Sequence, residues 1–364
     1  MYIALLSLCA WAYLFFARGA FWRSKPELKA AVPSEFPDVD IIVPARNEAD
    51  TIGAAISSLL DQDYAGRFRI TLVDDNSSDA TLARAGAAPN LRLIRLEGKP
   101  EGWSGKLWAL NQGVKDCGAP LVLFTDADIV HDPRHLSALV AQLLAAHLDL
   151  VSEMVRLNCV SLAERALVPA FVYFFQMLYP FAKVNAPRSA VAAAAGGTVL
   201  IRREMLERIG GMSAIKEALI DDVALARAVK PIGSIYLGHT ALAASIRRYP
   251  AFADIWQMIS RTAFTQLRHS VALLFLTLAA LTLVWLVPPA AVLLLRGWGR
   301  LAGLAACLLA LASFVPTLSR YRRSYFWAAA LPLIALFYMA ATLGSALNFW
   351  RGRGAHWKSR NYPH

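Results

Sequence analysis

The sequence predicts an α/β domain on a mostly parallel sheet, joined to apolar helices of membrane-spanning length. Three observations lead there. Short β-rich runs alternate with helically spaced segments from about residue 38 to 250, some of those runs are wholly apolar, and long stretches elsewhere carry no charge. Apolar strands alternating with helices require a parallel sheet covered on both faces.

Residues 39–43 read as a first strand ending at Pro44, and 51–60 has helical apolar spacing. Residues 68–73 are a second strand stopped by Asp74 and Asp75, and 91–96 a third. A helix over 106–114 leads to a fourth, fully apolar strand at 121–125. Polar residues recur at the carboxyl ends of these strands, where open α/β sheets bind ligands.

Of 364 residues, 57% are hydrophobic and 17% charged, with a mean hydropathy of +0.43. Soluble domains carry about 25% charged residues. Residues 1–17, 271–295, 301–319 and 324–350 are free of charge. Crossing the hydrocarbon core takes roughly 20 apolar residues, so all four are candidate spans, the first a little short. Segment 1–17 lacks a basic leader and a small-residue cleavage site, and Arg18, Arg23, Lys25 and Lys29 follow it. It reads as a retained anchor in the inner membrane, with the α/β domain cytoplasmic.

The net charge of +11 gathers at membrane edges, in Arg320, Arg322 and Arg323 and again in Arg351, Arg353, Lys358 and Arg360. This suits anionic lipid headgroups rather than nucleic acid. The four cysteines show neither metal spacing nor a disulfide framework. The expected organisation is an anchor (1–17), a basic, Pro-bearing linker (18–37), the α/β domain (38–250), an amphipathic interface segment (251–270), a membrane block (271–350) and a basic tail (351–364). Residues 167–182, uncharged, aromatic-rich and interrupted by Pro169 and Pro180, read as a further interfacial segment. Three crossings after a cytoplasmic domain would leave the basic tail outside, against the positive-inside rule. The Pro288-Pro289 pair is therefore expected to make 271–295 irregular, dipping into the membrane and returning.

The chemistry starts at Asp126-Ala-Asp128, immediately after the fourth strand. Two hard carboxylates in this arrangement suit Mg²⁺ or Mn²⁺, which keeps its other positions for water and phosphate oxygens. A strand-end turn alone would also accept aspartate. However, the first strand ends in Pro44-Ala-Arg46-Asn-Glu48 and the second in Asp74-Asp75-Asn-Ser-Ser-Asp79-Ala-Thr81. Helix capping by Asn47, Asp50, Ser78 or Asp79 explains part of this, but not two consecutive carboxylates. Three acidic strand ends in succession read as one site. No G-x-G-x-x-G follows the first strand, which disfavours a dinucleotide oxidoreductase.

These motifs, with Gly105-Lys-Leu-Trp-Ala-Leu-Asn-Gln-Gly, stand in the order and spacing of family 2 glycosyltransferases, which the sequence resembles over roughly residues 38–270. The resemblance implies a GT-A fold and a nucleotide-sugar donor, a UDP-sugar in the first place. Glu101-Gly-Trp-Ser-Gly-Lys-Leu-Trp-Ala and Trp256-Gln-Met-Ile-Ser-Arg-Thr-Ala-Phe look like the hopene-associated glycosyltransferases of bacteria. Ceramide glucosyltransferases and carotenoid-acid glycosyltransferases are similar more distantly. By that resemblance Pro44, Arg46 and Glu48 line the nucleoside pocket, and Asp75, with Asp74, bonds the base. Asp126 approaches the ribose or the metal, Asp128 ligates the metal at the diphosphate, and Lys106 helps to hold the donor.

Asp221-Asp222 resembles the family's acidic pair at a helix start, with Asp for the usual Glu, and the general-base role carries over to Asp222. Gly196-Gly197 resembles the small-residue strand beneath the acceptor. The Gln-x-x-Arg-Trp motif of many membrane members reads Met258-Ile-Ser-Arg261-Thr262 here, so only Arg261 survives. That departure favours transfer of a single sugar, and the reading as a whole is an inverting transfer to a membrane lipid, a hopanoid by resemblance. A processive polysaccharide synthase and a non-catalytic nucleotide-sugar-binding scaffold are the alternatives.

Overall fold

The computed structural model describes residues 1–352, 355–357 and 360–362. They form two compact units. One comprises Met1–Ser24, Cys159–Ala182 and Tyr249 onward; the other comprises Lys25–Asn158 and Lys183–Arg248.

The second unit is the α/β domain. Its strands are β1 (Glu27–Leu28), β2 (Val39–Ala45), β3 (Phe68–Asp74), β4 (Leu91–Arg95), β5 (Leu121–Thr125), β6 (Ile129–His131), β7 (Leu150–Arg156), β8 (Thr198–Arg202) and β9 (Ile235–Ser245). They lie in the order β1-β9-β7-β8-β5-β2-β3-β4, with β6 paired to β9. The sheet is mostly parallel; β8 runs antiparallel to both of its neighbours, as β6 does to β9. The four expected strands are all present. Every residue of β2 is buried, because helices cover both faces of the sheet and leave no solvent side. The helix Ile52–Leu60 turns Ile52, Ala55, Ile56 and Leu59 inward at helical spacing. The helix Gly105–Val114 lies so close to β2 that a Cβ at Gly113 would meet Ile42 Cγ2 at 2.5 Å.

The chain leaves β2 outward to β3 and β4, then returns to place β5 on the other side of β2. Strand order reverses between β2 and β5, which opens a crevice at their carboxyl ends. Pro44 and Asp126 both line it.

In the first unit three helices are long and apolar enough to cross a membrane: Val271–Leu294 (24 residues), Gly297–Arg320 (24) and Tyr325–Trp350 (26). The N-terminal apolar helix Tyr2–Ala17 is shorter. The reversal expected at Pro288-Pro289 does not occur, since 271–294 is one helical run. The prolines open the helix Val287–Leu294, where a missing N–H is harmless, and a π-helical turn at Thr282–Leu286 precedes them. Ser7 Oγ donates to the Leu283 carbonyl and Trp11 Nε1 to that of Val284, both at 2.7 Å. Residues 162–178 form one helix through Pro169, started by a Ser161–Glu164 capping box. All four cysteines are free thiols. The expectation for the basic tail falls partly on Arg353 and Lys358, which lie outside the described residues.

Candidate active site

The loops after β2 and β3 are clasped together by the polar residues of their motifs. Asn47 adopts φ +51°, a left-handed conformation that asparagine tolerates better than most residues. Ser77 Oγ accepts from Asn47 N at 2.9 Å, Thr81 Oγ1 from Glu48 N at 2.8 Å and Asp79 Oδ2 from Ala49 N at 3.1 Å. In return Asn47 Oδ1 accepts from Ser78 N at 2.9 Å. The Ser-Ser-Asp-x-Thr string therefore shapes the neighbouring loop, rather than merely capping its own helix.

The two aspartates at the end of β3 have different partners. Asp74 is fully buried and accepts from both the amide and the hydroxyl of Ser77. Asp75, 1% exposed, faces Arg46, whose Nη1 lies 4.0 Å from its carboxylate. Arg46 also donates to the carbonyls of Asp75 and Asn76.

Across the crevice, Ser104 caps the helix Gly105–Val114 by accepting from Leu107 N, which presents Lys106 on the first turn. Lys106 Nζ lies 2.9 Å from Asp126 Oδ1 and 3.0 Å from Asp221 Oδ2. It joins the turn after β5 to the start of the helix Asp221–Val229, nearly a hundred residues later. Burial disfavours its charge, but the flanking carboxylates of Asp126 and Asp221 outweigh that and hold Lys106 protonated well above the ordinary lysine range. Loss of water and the nearby Asp128 push Asp126 up, against the pull of Lys106. Asp222 rises to about 7, chiefly through burial and then through its neighbour Asp221. Gly196 packs against this group: a Cβ there would stand 3.2 Å from Asp222 Oδ2 and 3.4 Å from Lys106 Nζ. A Cβ at Gly197 would meet Val155 at 3.0 Å, which is a packing constraint of the sheet.

Asp128 points to a residue that the sequence reading missed. Arg247 Nε lies 2.7 Å from Asp128 Oδ2, and its Nη2 lies 2.5 Å from Glu48 Oε1. Ser245 Oγ reaches the same Asp128 oxygen at 3.2 Å, and Ile246 N donates to the Asp128 carbonyl at 2.9 Å. The antiparallel register Ile129↔Ser245 brings Arg247 beside Asp128. No local pattern separates Arg247 from the other basic residues around it, so only strand pairing could have revealed it. Arg261 stands on the helix Phe252–Gln266, in the other unit.

Asp126 and Asp128 supply two hard carboxylate donors. Among the described residues no cluster of three or more His, Cys, Asp or Glu side chains makes a closed metal cage. Mg²⁺ commonly takes one or two carboxylates and completes its shell with water and phosphate, so the donor set fits such an ion.

The family described as Glycosyl transferase family 2 matches residues 40–210. An N-acetylglucosaminyltransferase of Neorhizobium galegae is 50% identical over 64 residues, 17% of this chain and 14% of that protein. A dodecaprenyl-phosphate galacturonate synthase of Rhizobium johnstonii is 28% identical over 128 residues, 33% of this chain and 36% of that protein. The chain thus spans little more than a third of these relatives at most. A mannosyltransferase from Pyrobaculum calidifontis, solved with GDP-Man and Mn²⁺, superposes with a TM-score of 0.56 at 20% identity, covering 94% of this chain and 98% of that one. At that identity the likeness speaks for the fold. Mostly parallel sheet, crevice at the strand ends and the likeness to that structure agree on a GT-A fold, within which residues 40–210 match the glycosyltransferase family 2 model.

Proposed function

We propose that the protein transfers a single sugar, with inversion, from a nucleotide-sugar to a membrane lipid. The observation that carries this reading is Lys106, which bridges Asp126 at the strand-end crevice and Asp221 beside the buried Asp222. A donor site and a base are thereby held in one cleft. The base and ribose would lie along Pro44, Arg46, Glu48 and Asp75, with Asp74 supporting the turn. The diphosphate would lie towards Asp126 and Asp128. A divalent cation there would supply compensation for the charge of the leaving diphosphate.

Asp222 would take the proton from the acceptor hydroxyl. The acceptor's hydroxyl oxygen then bonds to the anomeric carbon as the bond from that carbon to the diphosphate oxygen breaks, in one displacement. A pKa near 7 matches that task at neutral pH, where the group exchanges protons readily. Gly196 leaves the space in which an acceptor hydroxyl can approach the carboxylate.

A lipid acceptor is supported by the three helices apolar enough to cross a membrane, by the amphipathic helix Phe252–Gln266 carrying Arg261, and by the dodecaprenyl-phosphate in the name of the Rhizobium johnstonii relative. We assign the protein to the bacterial inner membrane, with the α/β domain cytoplasmic and the basic clusters that flank the apolar segments near anionic headgroups. The donor proposed first is a UDP-sugar, and the lipid a hopanoid, on sequence resemblance. Membranes containing the protein, incubated with a panel of nucleotide sugars and analysed by lipid mass spectrometry, test this directly. A sugar-bearing lipid that depends on Asp222 is expected. Donor hydrolysis without any glycolipid, or a long polymer product, would overturn it.

A further inference from the structure

Asp128 is the metal ligand of the proposed reaction, yet its carboxylate is already engaged by a cation of the chain itself. Arg247 touches Asp128 at 2.7 Å and Glu48 at 2.5 Å, where those carboxylate side chains are only 10% and 8% exposed. A carboxylate this buried and close to Asp126 is strongly disfavoured without a positive partner. The guanidinium provides one, and it does so through a side chain that is 30% exposed and can swing, rather than through fixed backbone.

We infer that Arg247 is a placeholder for the metal: it holds Asp128 in the donor-free site and yields it when a divalent cation arrives with the diphosphate. The inference rests on the proposed metal-dependent donor site. Three features fit this exchange. Arg247 Nε and the Ser245 hydroxyl meet the same oxygen of Asp128, so the carboxylate is already oriented. Glu48 accepts from Arg247 through a different nitrogen, giving the side chain an anchor during the swap. The incoming diphosphate is itself a strong guanidinium acceptor, so the displaced cation gains a partner as it loses one. A metal without nucleotide must instead break the Asp128–Arg247 pair with nothing in return. Metal and donor would then bind together far better than either alone.

The test measures Mn²⁺ binding to the full-length, detergent-solubilised protein by the electron paramagnetic resonance signal of free Mn²⁺, with and without UDP and GDP. Wild type should bind Mn²⁺ alone weakly and much more tightly with nucleotide. Arg247→Gln should bind Mn²⁺ alone on the order of tenfold more tightly, equivalent to about 1.4 kcal/mol, and gain less from nucleotide. In chelator its melting temperature should fall, and Mn²⁺ without nucleotide should restore it, which a merely structural arginine would not permit. Arg247→Lys keeps the charge on a shorter reach and should lie between the two, so a variant that fails to fold leaves a second measurement. Mn²⁺ affinity unchanged or weakened in both variants would overturn the placeholder. If Asp128→Asn leaves Mn²⁺ binding intact in every background, the metal assignment itself fails.

Discussion

Two pairs of aspartates, 126 with 128 and 221 with 222, are linked through Lys106, and they are compensated differently. Asp126 and Asp128 each touch a cation, Lys106, which Asp126 shares with Asp221, and Arg247. Among the described residues Lys106 is the ion-pair partner of Asp221, and it acts on Asp222 without an ion-pair contact. Residue type is the same in all four positions, so the surroundings make the difference. A carboxylate compensated by a displaceable cation suits binding, whereas one left between burial and a like charge suits proton transfer.

The largest effect expected from this contrast is at Asp222. Asp222→Asn should lower kcat by about 1000-fold, the scale of general-base loss, with nucleotide affinity unchanged. Single-turnover kinetics beside nucleotide titration would show it. If Asp221→Asn carries the loss instead, the roles within the pair are reversed. Next in size, Asp128→Ala should weaken metal-dependent nucleotide binding by about 100-fold, and chelator should no longer alter the affinity. Equal nucleotide affinity with and without chelator in wild type would remove the contrast between the pairs.

A pH profile sharpens the comparison further. Asp222 must be ionised to accept a proton, so kcat/KM should rise with pH through an acid limb near 7. Lys106 favours the ionised form of Asp222, so Lys106→Gln should move that limb alkaline by about one pH unit. A limb that stays in place, or moves acid, would detach Asp222 from the rate. The smallest effect belongs to an exposed ion pair remote from the contrast, Arg203 with Glu207. Glu207→Ala, which removes the exposed partner, should change thermal stability by less than about 0.5 kcal/mol and leave the pH profile alone.

Much of the crevice at the ends of β2, β3 and β5 could be read from the sequence because its parts are local. Val39 to Glu48, Phe68 to Thr81 and Leu121 to Asp128 are each a strand followed by its own polar loop, and period and turn chemistry identify such units. The acidic pair at 221–222 was recognisable as a motif, but its meeting with Lys106 depends on how the chain returns through β8 and the helix that follows. Arg247 was out of reach for the same reason: its significance comes from the β6–β9 register, a pairing between residues more than a hundred apart. The Asp74–Asp75 pair looked like one feature in sequence, and burial divides it into a turn-former and a partner of Arg46. The Pro-Pro break was visible, but its outcome was not, because a π-helical turn absorbs it.

The π-helical turn also bears on how the chain is made. Ser7 and Trp11 donate to Leu283 and Val284, partners 276 and 273 positions later. At roughly 5–20 residues per second of synthesis, the first helix waits on the order of tens of seconds before those carbonyls exist. Through that interval its hydroxyl and indole N–H must be satisfied by water, lipid headgroups or an insertion factor. The helix made earlier thus waits for the later one before it reaches its final bonding.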